Sequence, residues 1–138
     1  MRHIVNALFV RNDAVLLVRR SPHRSAYGGR WSFVGGHVED AETLSAALLR
    51  ESQEEAGVIP TGFSFLASIP DPNAPQTDPV IYHLYVVTAW EGGEPHPIGD
   101  EHTEFRWFSP TEAMALRDLA LQEYQLIFKD MVGSRRSV

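Results

Sequence analysis

The stretch GHVEDAETLSAALLRESQEEAGV (Gly36–Val58) places three glutamates, Glu51, Glu54 and Glu55, within five residues. The apolar pattern predicts a helix over residues 41–56, and Gly57 follows it as expected just beyond a helix C-terminus. At about 100° per residue, the three carboxylates fall within an arc of roughly 100° on one helical face. The helix therefore presents a concentrated negative charge near its end.

This arrangement breaks two local rules. Acidic side chains at a helix C-terminus oppose the macrodipole, and like charges one turn apart repel by roughly 0.2–0.5 kcal/mol per pair. Such conflicts are typical of functional sites. Converging carboxylates are the ligands that Mg²⁺ and Mn²⁺ prefer, and a bound cation would reverse the repulsion. We interpret the glutamates as a divalent-cation site, with a solvated acidic face as the alternative.

The opposite side of this helix is predicted to face the core. It carries Leu48, Leu49, Ser52 and Ala56. Ser52 would place a polar hydroxyl on this apolar side. We expect the hydroxyl to bond back to the carbonyl group of Leu48. The expected effect is a small loss of stability and no change in chemistry.

Around the helix, β-rich runs alternate with Gly- and Pro-rich loops. The runs at 4–10 and 14–19 form a predicted hairpin around Arg11–Asp13, and Gly35-Gly36 is predicted to end the third strand. Ser109 caps a further helix that has Pro110 in its first turn. Strands are predicted at 4–10, 14–19, 31–34, 63–69, 80–90 and 103–108, and a last helix at 119–131. The sum is a mixed sheet with helices, an α+β fold in an α/β/α layout.

Length, charge and amino-acid composition limit the classes of function that the chain can have. The chain has 138 residues, a length typical of one domain, and a formal net charge of −6. Duplex nucleic acid is an unexpected partner because the basic surface that it requires is missing. Cysteine is absent, which excludes disulfides and thiolate chemistry. We expect no secretory signal at the N-terminus, no membrane span and a cytoplasmic location.

Residues 36–58 resemble the Nudix box. That motif runs Gly, five residues, Glu, seven residues, Arg-Glu, an aliphatic, any residue, Glu-Glu, any residue, Gly and an aliphatic. The sequence departs from it at Ser52, where an aliphatic is usual, and Val34 replaces a proline common before the Gly-Gly pair. The matching positions are Gly36, Glu42, Arg50, Glu51, Glu54, Glu55, Gly57 and Val58.

The resemblance implies a Nudix fold over a single domain, residues 1–138, with a flexible tail at about 133–138. It implies a Mg²⁺-dependent hydrolase, with Mn²⁺ as a substitute, that cleaves a nucleoside diphosphate linked to another group. Glu51, Glu54 and Glu55 would be metal ligands, with the carbonyl group of Gly35 as a further ligand. Arg50 would orient the glutamates. Glu42 would hold the loop and the helix start, and Glu39 would be a structural or outer acid.

Three other roles remain open at this stage. The general base is either a box glutamate or an acid on a distal loop, for which Glu101 is the first candidate and Glu104 the second. Arg20, at the end of the second predicted strand, is favoured over Arg19 to contact substrate phosphate. His37 either binds phosphate or is structural.

The remaining aromatic and imidazole side chains carry weaker signals. The other histidines, at 3, 23, 83, 96 and 102, show no metal-ligand spacing and are expected in the core or on the surface. Phe9, Tyr27 and Tyr82 are candidates to stack on a base. The proline-rich loop Asp71–Pro79 is either a substrate-binding loop or a flexible surface loop.

The substrate is expected to be a small nucleotide. A canonical or oxidised NTP or dNTP, cleaved to NMP and pyrophosphate, is the first expectation. ADP-ribose or another dinucleotide or nucleotide sugar is the alternative within the enzyme class. A non-catalytic nucleotide-binding module is the alternative outside it, and the chain is expected to be a monomer or a homodimer.

Overall fold

The computed structural model describes residues 1–23 and 27–136. Its elements in chain order are β1 (Arg2–Arg11), β2 (Ala14–Arg20), β3 (Trp31–Ser32), β4 (Val34–His37), α1 (Leu44–Ala56), β5 (Ile59–Pro70), β6 (Val80–Glu91), β7 (His102–Phe108), α2 (Pro110–Met114) and α3 (Tyr124–Arg136). Within these described ranges, no helix combines the length and the apolar character needed to cross a membrane.

The strands form a mixed sheet, as predicted. β1 pairs in parallel with β6 and antiparallel with β2 and β4, while β5 pairs with the other side of β6. β3 and β7 flank β2 on its two sides. The predicted β1–β2 hairpin is confirmed, and its turn residues Asn12 and Asp13 both adopt positive φ, as a tight hairpin turn requires.

Helices cover both faces of the sheet, which confirms the α/β/α layout. On one face, Leu48 and Ala56 of α1 pack against Ala7, Phe9 and neighbouring buried side chains. On the other face, Tyr124 and Phe128 of α3 pack against a second cluster that includes Leu8, Trp31 and Phe33. Residues 4–7 of β1 and the short strand β4, which pair with each other, lie between these two layers.

Two predictions about α1 and β4 need correction. The helix begins at Leu44 rather than near Ala41, because the side chain of Thr43 accepts a hydrogen bond from the amide of Ala46 and caps it. Gly35 and Gly36 do not end a strand but pair with β1 in β4. Only glycine fits at position 35, because β1 approaches closely. A Cβ on Gly35 would lie 1.9 Å from the carbonyl oxygen of Val5.

The last helix also differs from its predicted bounds. It begins at Tyr124 rather than Leu119, because residues 118–120 bond in an extended manner to Trp31: Trp31 N donates to Asp118 O and Ala120 N donates to Trp31 O, each at 2.8 Å. The helix then continues to Arg136. The predicted flexible tail at about 133–138 therefore overlaps the helix, and its last two residues, 137 and 138, lie outside the described residues.

Candidate active site

The guanidinium group of Arg50 links three glutamates, Glu42, Glu51 and Glu54. Its Nε and Nη2 donate to the two oxygens of Glu42 at 2.8 and 2.9 Å, and Nη1 donates to Glu51 at 2.8 Å and Glu54 at 3.2 Å. Nη2 also donates to the carbonyl group of His37 at 2.9 Å. We call Arg50, Glu42, Glu51 and Glu54 the Arg50 network. It ties α1 to the end of β4 through a single side chain.

Glu42 anchors the chain before α1. Its Oε1 accepts the backbone N–H of Glu39 at 3.0 Å as well as the bond from Arg50. The bond from Arg50 lowers the pKa of Glu42 to about 2, with the Glu39 amide acting in the same direction. Glu39 itself lies 3.7 Å from Arg50 and is largely exposed. This geometry is consistent with the structural part predicted for Glu42.

Gly36 makes room for Glu51. A Cβ on Gly36 would lie 2.4 Å from the carboxyl carbon of Glu51, so any side chain there would displace the carboxylate. Burial raises the pKa of Glu51, against the opposing effect of Arg50. Glu54, by contrast, has a side chain that is 55% exposed. Glu51 and Glu54, both bound to Arg50, therefore differ in how far they are removed from water.

Glu55 belongs to a second group of side chains, next to Glu51 and Glu54, whose charges act on it. Ligand atoms of Glu55, Glu101 and His102 all lie within 4.8 Å of one another. Nδ1 of His102 is 3.8 Å from Oε2 of Glu55. That oxygen is buried and has no hydrogen-bond partner among the described residues. We call Glu55, Glu101 and His102 the Glu55 cluster.

Backbone hydrogen bonds bring the distal loop to α1. The last carbonyl groups of the helix, on Glu55 and Ala56, accept the amides of Ile98 and His96 at 3.2 and 3.1 Å. These bonds satisfy helix-end acceptors that would otherwise need water or a cap. Further along, Ser21 N donates to Glu101 O at 2.9 Å. The loop is thus fixed at both sides, and Glu101 is placed beside Glu55.

The electrostatics of the Glu55 cluster are unfavourable without a cation. Burial, followed by the neighbouring Glu101 carboxyl group, raises the pKa of Glu55 to about 8. No basic residue occupies the last turn of α1, so the helix C-terminus adds further negative potential. Glu55 therefore holds a proton near neutral pH unless positive charge arrives.

A cavity of about 510 Å³ opens beside these acids on the α3 face of the sheet, within the range of small-molecule sites. Arg20, Gly35, Gly36, His37 and Glu101 line the side next to the acids. The opposite side is formed by Tyr27, Tyr82, part of the proline-rich loop Asp71–Pro79 and Tyr124 at the start of α3. The lining residues from that loop are Asp71, Asn73, Ala74 and Pro75.

The structure brings most of the predicted site residues together. Arg20 lies at the end of β2, paired in register with His102, and its Nη1 is 3.9 Å from Glu101. Glu104 lies apart from the cavity and forms an ion pair with Arg106 on the same strand. Phe9 is fully buried under α1 and is unable to reach a base. Tyr27 and Tyr82 both line the cavity.

Two features were not foreseen from the sequence. His102 is expected in the core or on the surface and is buried, at 6% exposed, but its position beside Glu55 and Glu101 does not follow from the sequence. Its position directly after Glu101 was the available signal. Asn6, a polar residue in an otherwise apolar strand, also lines the cavity.

The prediction for Ser52 is wrong. Its side chain is buried in α1 as expected, but its hydroxyl oxygen has no hydrogen-bond partner among the described residues. The expected bond to the carbonyl group of Leu48 is therefore not formed. A buried hydroxyl without a partner destabilises the protein by about 1–3 kcal/mol.

Comparison with known proteins agrees with this geometry. The family model for the NUDIX domain matches residues 1–129. The chain is 34% identical to the CTP pyrophosphohydrolase of Escherichia coli (strain K12), covering 83% of this chain and 80% of that protein. It is 32% identical to the 8-oxo-dGTP diphosphatase of Proteus vulgaris, covering 64% and 78% respectively.

The fold likeness is equally broad. The crystal structure of a MutT NUDIX hydrolase from Burkholderia pseudomallei superimposes with a TM-score of 0.80 and 25% identity, covering 93% of this chain and 95% of that one. The predicted α+β fold is thereby confirmed. The chain belongs to the Nudix family.

Proposed function

We propose that the protein is a Mg²⁺-dependent pyrophosphohydrolase that cleaves a nucleoside triphosphate to the monophosphate and pyrophosphate. One observation carries this proposal: the buried oxygen of Glu55, unpartnered among the described residues, lies against Glu101, which lines the cavity. An acidic wall of this kind repels a polyphosphate unless cations are present. The same wall is therefore suited to bind the substrate and its metal together.

The donor set fits a hard divalent cation. Mg²⁺ and Mn²⁺ favour carboxylate oxygens, and Mg²⁺ retains several waters in its coordination shell. Glu51, Glu54 and Glu55 supply such oxygens from one helix, and Glu101 adds another from the distal loop. Gly35 remains a candidate through its carbonyl group. When bound, the cation would neutralise phosphate charge and lower the pKa of a coordinated water.

Arg20 is suited to hold the phosphate chain. Arg20 and Glu101 both line the cavity at its boundary with the acids of α1, with Nη1 of Arg20 3.9 Å from Glu101, so a nucleoside in the cavity would direct its phosphates past Arg20 towards the acids. The planar fork of arginine binds phosphate oxygens in a bidentate manner. His37 is exposed at the same boundary, where it could add a second contact.

The reaction adds water across the α–β phosphate bridge. The water oxygen bonds to phosphorus on one side of the bridge, and the bond between phosphorus and the bridging oxygen breaks. A carboxylate next to the attacked phosphorus takes the proton that the water loses. Glu101 is our first candidate for this base, because it lies on the cavity side of the acids, and a box glutamate is the second. The Arg50 network holds the neighbouring carboxylates in place during this step.

A free nucleoside triphosphate is favoured over ADP-ribose as substrate. The two similar proteins described above are named for CTP and 8-oxo-dGTP. The cavity forms a single compartment of about 510 Å³, which suits one nucleoside. A binding module without activity is the other alternative, and the presence of Glu51, Glu54 and Glu55 argues against it.

The test is release of pyrophosphate with Mg²⁺ from a panel of canonical and oxidised NTPs, with ADP-ribose included. Wild type is expected to release pyrophosphate from at least one NTP. Glu55→Gln is expected to lose about a hundredfold or more in kcat, since it removes a charge that acts on the transition state. Gln53→Ala, an exposed neighbour on the same helix, is the matched control and should retain activity. If wild type releases no pyrophosphate from any member of the panel, the binding-module alternative is favoured.

A further inference from the structure

We infer that the outer edge of β5 is an interface at which two copies of this chain form a dimer, with the two β5 strands paired antiparallel across a two-fold axis. Of the two states expected from the sequence, monomer or homodimer, this interface favours the homodimer. The interface does not depend on the proposed hydrolysis, because no residue of β5 lines the cavity of the candidate active site.

The strand β5 is the last strand on one side of the sheet. Among the described residues it pairs only with β6. With 12 residues, Ile59–Pro70, it is as long as any other strand in the described part of the chain. The N–H and C=O groups on its outer side therefore lack a neighbouring strand, and an edge of this kind is a template for pairing with another chain.

The charges with which edge strands usually avoid such pairing are missing from β5. Its sequence, IPTGFSFLASIP, contains no Asp, Glu, Lys or Arg, whereas 22% of the whole chain is charged. Lysine and proline are common protectors of a sheet edge. The two prolines of β5, Pro60 and Pro70, lie towards its ends, so the residues between them, 61–69, are open to pairing.

Large apolar side chains are exposed on this strand. Ile59, Phe65 and Leu66 are 38%, 54% and 42% exposed. They make up half of the exposed large hydrophobic residues in the parts of the chain that the structure describes. Because apolar surface gains free energy when it is removed from water, β5 offers contact area as well as backbone partners.

An apolar groove of about 490 Å³ adjoins β5. It is lined by apolar side chains of β5, β6 and α3, among them Leu66 and Met131, and by two carboxylates, those of Asp13 and Asp130. The chain itself has a net charge of −6. A second copy is therefore repelled from this surface unless it presents an uncharged segment, and β5 is such a segment.

A second copy fits the edge because the pairing is self-complementary. The run Phe63–Phe65 pairs regularly with β6 and lies between register shifts on both sides. The rings of Phe63 and Phe65 both contact Tyr85, with centroids 6.0 and 5.6 Å away, so they lie on the same face of the sheet. A two-fold axis at Ser64 therefore places Phe63 opposite Phe65 of the partner subunit, twice over. Such cross-strand aromatic pairs stabilise a sheet.

The contact area is that of a weak dimer. At roughly 3.3 Å per residue, the 12 residues of β5 span about 40 Å. With a sheet thickness of about 10 Å, the edge covers roughly 400 Å² on each partner. The groove adds to this area, but a standard interface buries about 800 Å² per partner. We therefore expect the dimer to dissociate in the micromolar range.

Sedimentation equilibrium of wild type between about 5 and 500 µM should show a reversible monomer–dimer equilibrium. Ser64→Lys puts two like charges opposite each other on the axis, and Phe65→Lys replaces an aromatic contact by a charge. Each should raise the dissociation constant at least tenfold. Leu126→Lys, at a leucine that is 63% exposed on α3, is the control and should leave the constant unchanged. A wild type that stays monomeric throughout, or equal effects of the three substitutions, would overturn the interface.

A disulfide tests the position of the axis. The chain contains no cysteine, so Ser64→Cys introduces a single thiol whose cross-strand neighbour is its own symmetry mate. Oxidation should give a covalent dimer at least tenfold faster than for Leu126→Cys, because directly opposed residues of antiparallel strands lie within the Cα distance that a disulfide requires. Equal rates of cross-linking would contradict the pairing about Ser64.

Salt distinguishes this interface from one that is held by ion pairs. The two copies repel each other through their net charges, and β5 carries no charge that salt could screen. Raising NaCl from about 0.05 to 0.5 M should therefore lower the dissociation constant at least threefold. A dimer that salt weakens would depend on opposite charges and would overturn the assignment to β5.

Discussion

The Arg50 network and the Glu55 cluster both draw carboxylates from the last turns of α1 and differ in what balances their negative charge. Arg50 contacts Glu42, Glu51 and Glu54 at hydrogen-bond distance. In the Glu55 cluster, burial places one carboxylate against another, and the pKa of Glu55 rises to about 8. The first group is balanced by the protein itself. In the second, Arg20 lies 3.9 Å from Glu101, but the buried oxygen of Glu55 has no hydrogen-bond partner among the described residues, which is the property expected of a cation site.

Removing Arg50 should produce the largest effect on stability. Arg50→Ala leaves Glu42, Glu51 and Glu54 without their shared partner in a partly buried setting, so we expect the free energy of unfolding to fall by about 2–4 kcal/mol. Chemical denaturation measures the loss. The matched control is Arg2→Ala, whose partner Asp78 is about half exposed, and which should change stability by less than about 1 kcal/mol. Equal effects of the two changes would contradict the distinction between balanced and exposed pairs.

The Glu55 cluster should respond to pH in the opposite sense from an ordinary salt bridge. The pKa of Glu55 is about 8 when folded, against an ordinary value of 4.5. Between these values the folded protein binds a proton that the unfolded chain has released, so the free energy of unfolding falls as pH rises. The contribution is complete below pH 4.5 and is lost as pH rises through about 8.

Denaturation midpoints in EDTA test this expectation. The midpoint of wild type should be lower at about pH 8 than at about pH 5, and Glu55→Gln should show a smaller difference, because its amide does not titrate. Adding Mg²⁺ at the higher pH should raise the wild-type midpoint, since a ligand that binds only the folded state stabilises it. An equal pH dependence in the two proteins would show that Glu55 is not the titrating group.

The helix that carries both groups of acids can be predicted from the sequence, because its signals are local. The glutamates share a face through helical spacing alone, Gly57 caps α1 with φ of 72°, and Ser109 and Glu112 form a complete capping box. Each feature depends on residues within one or two turns. Local propensity and capping chemistry therefore predict the helices and the shared face of the glutamates, whereas the parts expected of Arg50 and Glu42 came from the resemblance to the Nudix box.

The unforeseen parts depend on contacts between distant segments. Gly35 and Gly36 have the composition of a strand breaker, and only the approach of β1 makes them a strand. Tyr27, Asp71 and Tyr82 come from three separate segments and meet at one carboxylate. His102 reaches Glu55 because the loop before it bonds to the end of α1. No periodic pattern in the sequence predicts these contacts.

Replacing the two candidate acids of the distal loop, Glu101 and Glu104, should change kcat to clearly different extents. Glu101→Gln is expected to lower kcat by about tenfold to a hundredfold, as loss of a general base or an additional metal ligand would. Glu104→Gln removes an acid that pairs with Arg106 away from the cavity, so it should change kcat by less than about twofold. Steady-state kinetics with saturating Mg²⁺ decide between them. A larger loss in Glu104→Gln would move the base to that residue.

The smallest expected effect concerns the core side of α1. Ser52→Ala removes a buried hydroxyl that has no partner among the described residues, and it should raise the free energy of unfolding by about 1 kcal/mol. Activity should stay unchanged, because the side chain points away from both groups of acids. Denaturation and steady-state kinetics check the two parts. A loss of stability would mean that the hydroxyl has a partner after all.

Uptake of a divalent cation tests the central claim most directly. Calorimetric titration of Mg²⁺ and of Mn²⁺ into metal-free wild type, with a non-hydrolysable nucleotide present, should show saturable binding. Glu55→Gln should bind at least about tenfold more weakly, since it removes one charged ligand, while Gln53→Ala should match wild type. Absence of binding by wild type, or unchanged binding by Glu55→Gln, would contradict the assignment of the Glu55 cluster as a cation site.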